Sequence, residues 1–344
     1  MLSTRKLAAA TALATGLIAG TASAQSDCGE VSITEMNWAS SVVVTAVSEF
    51  LMEQGYGCDV TKIPSSTNPA ITSVAETGEP DILTELWVNA APVYDRLAAE
   101  GKVEPLTQVL SDGGVEGWWL PNYLLEEHPE LATLQGVLDN PELVGARFHQ
   151  CPDGWACKTV NGNLIRAAGL EDNGIEVFQH GSGETMATAI ASAYQDKEPW
   201  FGYYWAPTSV LGQYPMTRVD IGEFDEEAHA CNAEESCANP RMSAYPKGEV
   251  LTVVTASFAE ENPEVTELMR NVQFTNPQMN DVLAWQEENN ASPDEAAVYF
   301  LTTYKDVWGN WLNDAAREKL AAILQYPPLA ERAPGAWRLG ALAR

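Results

Sequence analysis

The sequence predicts an α/β protein of two lobes with a ligand cleft between them. The chain has 344 residues, which is too long for one small hydrophobic core and suits two. Strands alternate with helices from Val31 to Trp87, and a second series of the same kind begins after Gly113–Trp119. Such alternation is typical of a parallel sheet, and a chain that crosses between two sheets leaves a cleft at the crossing.

The first series follows from hydrophobic periodicity, which has a period of two in strands and of about 3.6 in helices. The predicted elements are the strand Val31–Met36, a helix marked by the apolar positions Val43 to Leu51 and ended by Gly55, the strand Val60–Ile63, the helix Pro69–Glu76 and the strand Asp81–Trp87.

The second series and the C-terminal part follow in the same way. The predicted elements are the strand Ala146–Gln150, a helix after Asn161, the strand Ile175–Phe178, a helix from about Glu184 to Gln195, and the strands Trp200–Trp205 and Val250–Thr255. The remainder is predicted to be mostly helical, over Pro263–Val272, Met279–Glu288, Asp294–Leu312 and Ala315–Leu324. We therefore assign residues 25–116 and 244–344 to the first lobe and residues 117–243 to the second.

The N-terminal segment is typical of a secretory signal peptide. Arg5 and Lys6 precede a short apolar run, and Ala22–Ala24 has the small residues of a cleavage site. The apolar run is too short to span a bilayer. We expect residues 1–24 to be removed after Ala24 and the mature chain to be soluble in the periplasm.

The charge balance excludes two classes of partner. The chain has 48 acidic against 19 basic side chains, a formal net charge of −29. Such a surface repels nucleic acid and anionic lipid, so neither is expected as a partner. The simplest role of the charge is solubility.

The six cysteines fall into three pairs that are close in sequence. Export to an oxidising space favours disulfides within these pairs. A metal site at His229, Cys231 and Cys237 is the alternative, but exported thiolates normally oxidise first. The expected disulfides are Cys28–Cys58, Cys151–Cys157 and Cys231–Cys237, and no metal or cofactor is expected.

Several of the 11 tryptophans stand at strand ends, and Trp155 lies inside the tight loop between Cys151 and Cys157. In open α/β sheets, ligands bind at the carboxyl ends of the strands. Indole faces attract a cation such as trimethylammonium, which has no N–H group to satisfy. The pattern therefore predicts an aromatic cage for a small onium ligand, with one wall fixed by the disulfide. Packing of each lobe's core is the alternative role for any single strand-end tryptophan.

Three motifs resemble the glycine-betaine/proline-betaine class of periplasmic substrate-binding proteins, which serve ABC importers. These motifs are CPDGWAC followed by NGNL, then YYWAPTSVL, and PDILTELW nearer the N-terminus. They occur in the right order over nearly the whole mature chain. The resemblance implies a two-lobed periplasmic binding protein fold (type II-like), a monomer, and an ABC permease in the inner membrane as partner.

The resemblance also implies roles for particular tryptophans. Trp87, Trp155 and Trp205 correspond to the cage around the quaternary ammonium. Trp38 resembles a cage tryptophan of the choline-binding branch, and Trp118 or Trp119 corresponds to an aromatic residue that some members use.

Two departures from the family pattern concern the polar end of the ligand. Betaine binders of the closest pattern have a histidine where this chain has Ala91, and the choline branch has an aspartate where it has Ser40. Backbone N–H groups of Trp155, Ala156 and Cys157 remain able to bind a carboxylate. We expect a methylated onium with a compact polar end: trimethylamine N-oxide first, glycine betaine next, with choline and dimethylsulfoniopropionate as alternatives.

Three acidic residues are candidates for contact with that polar end. Glu35, Glu85 and Glu116 each lie two or three residues from a candidate cage tryptophan, and Glu85 shares a strand face with Trp87. A carboxyl group there is able to hydrogen-bond the ligand oxygen. The alternative is that each is a solvated charge.

Two other classes of function compete with a binding protein. An enzyme is disfavoured because the chain has only four histidines and contains none of the G-x-S-x-G, H-E-x-x-H or phosphate-loop motifs. A calcium-dependent exported structural protein is the second rival, suggested by the acidic segment Glu223–Cys237. This segment lacks the ligand spacing of a known calcium loop, so a solvated surface loop is the better interpretation.

Overall fold

The computed structural model describes residues 28–324, which form two α/β units, each built on a five-stranded mixed sheet. The predicted signal peptide, residues 1–24, lies outside the described residues. The strands are β1 (Glu30–Met36), β2 (Asp59–Ser65), β3 (Ile82–Trp87), β4 (Val103–Gln108), β5 (Val115–Pro121), β6 (Arg147–Gln150), β7 (Glu176–Gln179), β8 (Gly202–Ala206), β9 (Met216–Arg218) and β10 (Val250–Thr255).

Helices cover the faces of the sheets and account for most of the C-terminal part. They are α1 (Ala39–Leu51), α2 (Thr67–Thr77), α3 (Pro92–Ala99), α4 (Asn122–Glu127), α5 (Leu134–Asp139), α6 (Ala156–Ala168), α7 (Gly183–Asp196), α8 (Ser209–Gln213), α9 (Glu226–Asn232), α10 (Ala256–Glu261), α11 (Pro263–Asn271), α12 (Asn276–Glu288), α13 (Pro293–Thr303), α14 (Lys305–Trp308), α15 (Asp314–Lys319) and α16 (Ala321–Leu324).

The two sheets have the same plan. The first has the strand order β2-β1-β3-β10-β4, with β1 parallel to β2 and β3, and β10 antiparallel to its neighbours. The second has the order β7-β6-β8-β5-β9, with β6 parallel to β7 and β8, and β5 antiparallel to β8 and β9. Each sheet therefore presents the carboxyl ends of three parallel strands along one edge.

Two segments connect the units and touch each other at a pair of glycines. The N–H of Gly114 donates to the carbonyl of Gly248, and the N–H of Gly248 donates back to Gly114, both at 3.0 Å. Gly114 immediately precedes β5, and Gly248 stands two residues before β10. Each connecting segment is thereby tied to the other where the chain passes between the sheets.

Burial explains most of the observed elements. In α1, Val43, Val44, Val47 and Leu51 are fully buried, as their shared helical face predicts.

The three predicted disulfides are present, which confirms the pairing Cys28–Cys58, Cys151–Cys157 and Cys231–Cys237. No helix within residues 28–324 is long and apolar enough to cross a membrane.

The segment Asp294–Leu312, predicted to be mostly helical, is divided into α13 and α14, because the chain leaves the helical conformation at Tyr304. The indole N–H of Trp308 donates to the carbonyl of Leu301 at 2.8 Å, so a side chain takes the place of the next helical N–H. The segment Ala315–Leu324 is likewise divided into α15 and α16, since α15 ends before Leu320.

Candidate functional site

A cavity lies between the two units, where the carboxyl ends of their parallel strands face each other. Strand ends of an open α/β sheet are the usual place for a ligand. Four tryptophans line this cavity, and we call them the tryptophan cluster: Trp38, Trp87, Trp155 and Trp205.

The tryptophan cluster is packed edge to face. The ring centroids of Trp38 and Trp155 are 5.2 Å apart at an interplanar angle of 72°, and those of Trp155 and Trp205 are 5.0 Å apart at 82°. All four side chains are at least nine-tenths buried. Trp155 thus contacts a ring from each sheet and stands at the centre of the cluster.

Each tryptophan of the cluster is placed by the end of a regular element. Trp38 precedes α1 just after β1, and Trp87 is the last residue of β3. Trp205 lies one residue from the end of β8, and Trp155 is the residue from which α6 starts. The predicted helix after Asn161 therefore begins earlier, at Ala156, because the Cys151–Cys157 loop leads directly into it.

The ring of Trp87 rests on the backbone of one connecting segment. A Cβ atom at Gly114 would lie 2.2 Å from two carbons of that ring, which is far inside van der Waals contact. Glycine is therefore required at position 114 by the space that Trp87 occupies.

Several hydrogen bonds join the two units across the cavity mouth. The Trp155 indole N–H donates to Asn37 Oδ1 at 2.7 Å, and the Asn68 N–H donates to the Gly154 carbonyl at 2.9 Å. His229 Nε2 lies 2.6 Å from the carbonyl of Asn89. A carbonyl only accepts, so this histidine nitrogen carries the proton.

Glu116 brings a buried carboxyl group into the cavity. Tyr203 donates its O–H to Glu116 Oε1 at 2.7 Å, and the Asn89 side-chain amide donates to Oε2 at 2.7 Å. Burial raises the pKa of the Glu116 carboxyl, and these two hydrogen bonds oppose the shift. No lysine or arginine lines the cavity among residues 28–324, so Glu116 has no cationic partner there.

Glu85 does not line the cavity but lies behind the tryptophan cluster. Its Oε1 accepts hydrogen bonds from the Trp38 indole N–H at 2.8 Å and the Ser40 hydroxyl at 2.7 Å, and the Trp87 indole N–H is 3.5 Å away. The side chain is fully buried, and burial raises the pKa of its carboxyl group to about 7. The expected direct contact of Glu85 with a ligand is therefore replaced by contact with the indoles.

The start of α6 supplies backbone donors to the cavity. Ala156 and Cys157 line it, and no side chain caps the N-terminus of this 13-residue helix. The first N–H groups of a helix have no partner within the helix, and the helix dipole favours an oxygen or anion beside them.

Three predicted site residues are not brought to the cavity. Trp118 is fully buried between Phe148 and Phe201 in the core of the second unit. Trp119 donates its indole N–H to the Tyr204 carbonyl and lies under the Arg218 guanidinium. Glu35 is at the surface, where its carboxylate is 3.5 Å from Lys62 Nζ.

Other residues of the site were not among the sequence-based candidates. Tyr203 had a signal, because it lies two residues before Trp205 and so on the same strand face. Gly183, the first residue of α7, would place a Cβ within 3.3–3.5 Å of Trp205, Trp155 and Trp38, so the space at the cluster requires a small residue. Asn89, His229 and Tyr245 also line the cavity.

Two of the four histidines, His149 and His180, form a pair away from the cavity. His149 Nδ1 is 2.8 Å from His180 Nε2, and the His149 ring stacks on Trp200 with centroids 5.0 Å apart. The glycine-rich segment after His180 is the start of α7, where Ser182 and Thr185 form a capping box. Neither histidine lines the cavity.

The His149–His180 pair predicts a loss of stability in acid. Burial lowers the pKa of His149 to about 3, from an ordinary value near 6.5. Between these values the unfolded chain binds more protons, so this pair makes the free energy of unfolding fall by about 1.4 kcal/mol per pH unit as the pH drops. Urea unfolding at several pH values should show a shallower dependence for His149→Phe, whereas His128→Phe, at the surface, should follow the wild type. Equal slopes in all three proteins would contradict the prediction.

The acidic segment Glu223–Cys237 does not form a cluster of metal ligands. Asp225 caps α9 and lies 3.1 Å from Arg241 Nη1, and His229 faces the cavity. Within residues 28–324, no three His, Cys, Asp or Glu side chains converge in a way that would hold a metal ion. Calcium binding therefore receives no support from the geometry.

Residues 29–303 match the family model OpuAC, described as the substrate binding domain of the ABC-type glycine betaine transport system. The match covers both units and the cavity between them. It includes every residue of the tryptophan cluster.

Solved structures with this fold include three that bear directly on the comparison. The glycine betaine/L-proline-binding protein ProX from Borrelia burgdorferi is 16% identical, with a TM-score of 0.69 over 84% of this chain and 99% of that chain. Lactococcal OpuAC, closed around glycine betaine, is 19% identical, with a TM-score of 0.64 over 83% and 100%. An ABC-transporter choline-binding protein in complex with choline is 16% identical, with a TM-score of 0.68 over 86% and 98%. These likenesses confirm the two-lobed α/β fold with its cleft.

Proposed function

We propose that this chain, which belongs to the OpuAC family of substrate-binding domains of ABC-type glycine betaine transport systems, captures trimethylamine N-oxide outside the cytoplasm. The family consists of extracytoplasmic transport proteins and not of enzymes. The protein would act as a monomer in the periplasm, after cleavage behind Ala24, and would deliver its ligand to an ABC permease in the inner membrane.

The tryptophan cluster suits the methylated end of such a ligand. A trimethylated nitrogen has no N–H group, so it is held without leaving a donor unpaired in a buried site. Each desolvated indole face contributes about 0.5–2 kcal/mol to holding a cation. Four faces at the upper end of this range contribute about 8 kcal/mol, which corresponds to a Kd of about 1 µM.

Glu116 is the observation that favours trimethylamine N-oxide over the other onium ligands. A ligand carboxylate in this cavity would lie beside the Glu116 carboxyl group, and no lysine or arginine of the described part of the chain lines the cavity to neutralise it. An N-oxide oxygen is instead a single strong acceptor. Because burial raises the pKa of Glu116, its carboxyl group is able to keep a proton and donate it to that oxygen.

Glycine betaine is the second candidate, and the start of α6 favours it. The N–H groups of Ala156 and Cys157 are positioned to receive a carboxylate, with the helix dipole in support. Dimethylsulfoniopropionate would use the same groups. Choline would instead donate its hydroxyl to the Glu116 carboxylate.

The proposed function rests on an equilibrium between open and closed forms. Residues 25–116 with 244–344 form one proposed lobe and residues 117–243 the other, although β5 already enters the second sheet at Val115. Trp38 and Trp87 would contact the ligand from the first lobe, and Trp155 and Trp205 from the second. A ligand that touches both lobes shifts the population toward the closed form.

Calorimetric titration tests the proposal. The purified protein is titrated in turn with trimethylamine N-oxide, glycine betaine, choline and dimethylsulfoniopropionate at pH 7. We expect micromolar binding of trimethylamine N-oxide and weaker binding of the two carboxylates. Tighter binding of glycine betaine would mean that the N–H groups at the start of α6, and not Glu116, bind the polar end of the ligand. Binding of none of the four compounds would overturn the proposal.

Loss of the Cys151–Cys157 disulfide should weaken binding about tenfold, because this loop fixes Trp155 at the start of α6. A rigid site loses less entropy when it binds, and freeing one large side chain costs about 1 kcal/mol or more. Trimethylamine N-oxide is titrated against Cys151→Ser/Cys157→Ser. The matched control is Cys28→Ser/Cys58→Ser, which removes a disulfide that does not line the cavity. Equal affinity in both double variants would show that the loop does not need the bond.

A further inference from the structure

We infer that Glu85 is a positioning residue that acts through the indole N–H groups of Trp38 and Trp87, and that its negative charge sets how strongly the tryptophan cluster holds a positive charge. This inference rests on the proposed function, since it concerns the same cavity. It adds a source of cation selectivity that does not touch the ligand.

The hydrogen bonds define the direction in which Glu85 acts. Its Oε1 accepts from the Trp38 indole N–H at 2.8 Å, and the Trp87 indole N–H lies 3.5 Å from the same oxygen. Both rings line the cavity, whereas Glu85 does not. The carboxyl group is therefore separated from a bound ligand by the two indoles.

The backbone at Glu85 has an unusual conformation for a glutamate. Its φ is +51°, in the left-handed region that side chains other than glycine rarely adopt. The pairing of β3 with β10 shifts register between Leu251 and Val253, so the strand contains an irregularity at this point. Such bulges redirect a side chain, and here the redirected side chain is a fully buried acid that meets two cluster indoles.

The second carboxyl oxygen supplies an independent sign of function. Glu85 Oε2 is buried and has no hydrogen-bond partner within residues 28–324. An unpaired carboxylate oxygen is costly inside a protein unless an opposite charge lies close. Because no lysine or arginine among the described residues lines the adjacent cavity, a ligand cation is the group able to compensate it.

The physical effect passes through the rings and through space. A carboxylate that accepts an indole N–H increases the electron density of that ring, and the ring face is what attracts a cation. The charge also acts directly, because a buried site screens it less than water does. Both effects favour a ligand with net positive charge over a dipolar ligand of the same shape.

The test compares two probes that share the methylated nitrogen. Tetramethylammonium carries a net charge, whereas trimethylamine N-oxide is neutral overall. In Glu85→Gln, the amide oxygen still accepts from Trp38, but the charge is gone. Calorimetric titration at about pH 8.5, above the pKa of about 7 that burial gives Glu85, should show that the Kd of tetramethylammonium rises about tenfold more than the Kd of trimethylamine N-oxide, while circular dichroism stays unchanged.

A second pair of variants keeps the test valid if Glu85→Gln does not fold. Ser40→Ala removes the 2.7 Å hydrogen bond that stabilises the charged form of Glu85, so the same selectivity should fall about threefold. Ser41→Ala is the matched control, because this neighbouring hydroxyl is buried and makes no hydrogen bond within the described residues. It should leave the selectivity unchanged.

The outcomes separate the inference from the proposed function. Equal changes for both probes, or no change for either, would show that Glu85 has only a structural role. Wild-type protein that binds trimethylamine N-oxide but no tetramethylammonium would also overturn the inference, since the cluster would then not hold a bare cation. Binding of neither probe by the wild type would remove the proposed function itself.

Discussion

Replacing Trp155 with alanine should weaken the binding of trimethylamine N-oxide by about a hundredfold, the largest effect that we expect from one side chain. Trp155 lies within about 5 Å of both Trp38 and Trp205, and its indole N–H reaches Asn37 across the cleft. The variant loses one ring face for the ligand, the edge contacts that orient the other two rings, and one hydrogen bond between the units. Together these amount to about 3 kcal/mol.

Calorimetry with circular dichroism checks this expectation. Trp285→Ala is the matched control, because it removes the same side chain from a position that stacks on Tyr299 and does not line the cavity. The control should bind as the wild type does. A Trp155→Ala protein that stays folded and keeps its affinity would rule out the tryptophan cluster as the binding site.

Replacing Glu116 with glutamine should weaken the binding of trimethylamine N-oxide about thirtyfold and remove its pH dependence. The glutamine is able to accept from Asn89 and donate to Tyr203, so the cavity keeps its shape. What it loses is the acidic proton shared with the N-oxide oxygen, a strong hydrogen bond worth about 2 kcal/mol. Above the raised pKa of Glu116, glycine betaine should bind this variant better than the wild type, because its carboxylate no longer meets an ionised carboxylate.

The pH dependence has a definite sign. The complex holds one proton between Glu116 and the ligand oxygen, whereas the free protein loses that proton above the raised pKa of Glu116. Binding therefore takes up a proton, and Kd should rise about tenfold per pH unit above that pKa. Titrations from pH 6.5 to 9 measure it, with Glu35→Gln as the control at the surface. A wild-type Kd that is constant over this range would contradict the shared proton.

The sequence was a good guide to the parallel strands and to the tryptophans at their ends. Trp38, Trp87, Trp155 and Trp205 come together because parallel strands of both sheets end at one cleft, which is a rule of the fold class. Trp118 had the same sequence setting near the crossing. It does not reach the cavity, because it lies two residues beyond Glu116 along β5 and packs against Phe148 and Phe201 in the core of the second unit.

The remaining parts depend on contacts between residues far apart in sequence. β4 contains Pro105, and β5 follows directly after Gly113 and Gly114 and contains Gly117, so neither has a clear alternating pattern. Both become strands by pairing with distant partners, β10 and β8. The position of Glu85 behind the indoles depends on the irregularity in β3, which periodicity alone does not reveal.

The close contact of Trp87 with Gly114 has a mechanical consequence. One face of this indole belongs to the cavity, and its edge lies on the backbone that joins the two sheets. Any rotation of one sheet relative to the other about the Gly114–Gly248 bridge moves the surface on which Trp87 rests. Trp87 thus lines the cavity and also packs on the backbone about which the sheets would rotate. A change at this residue would therefore affect interdomain rotation and ligand retention together.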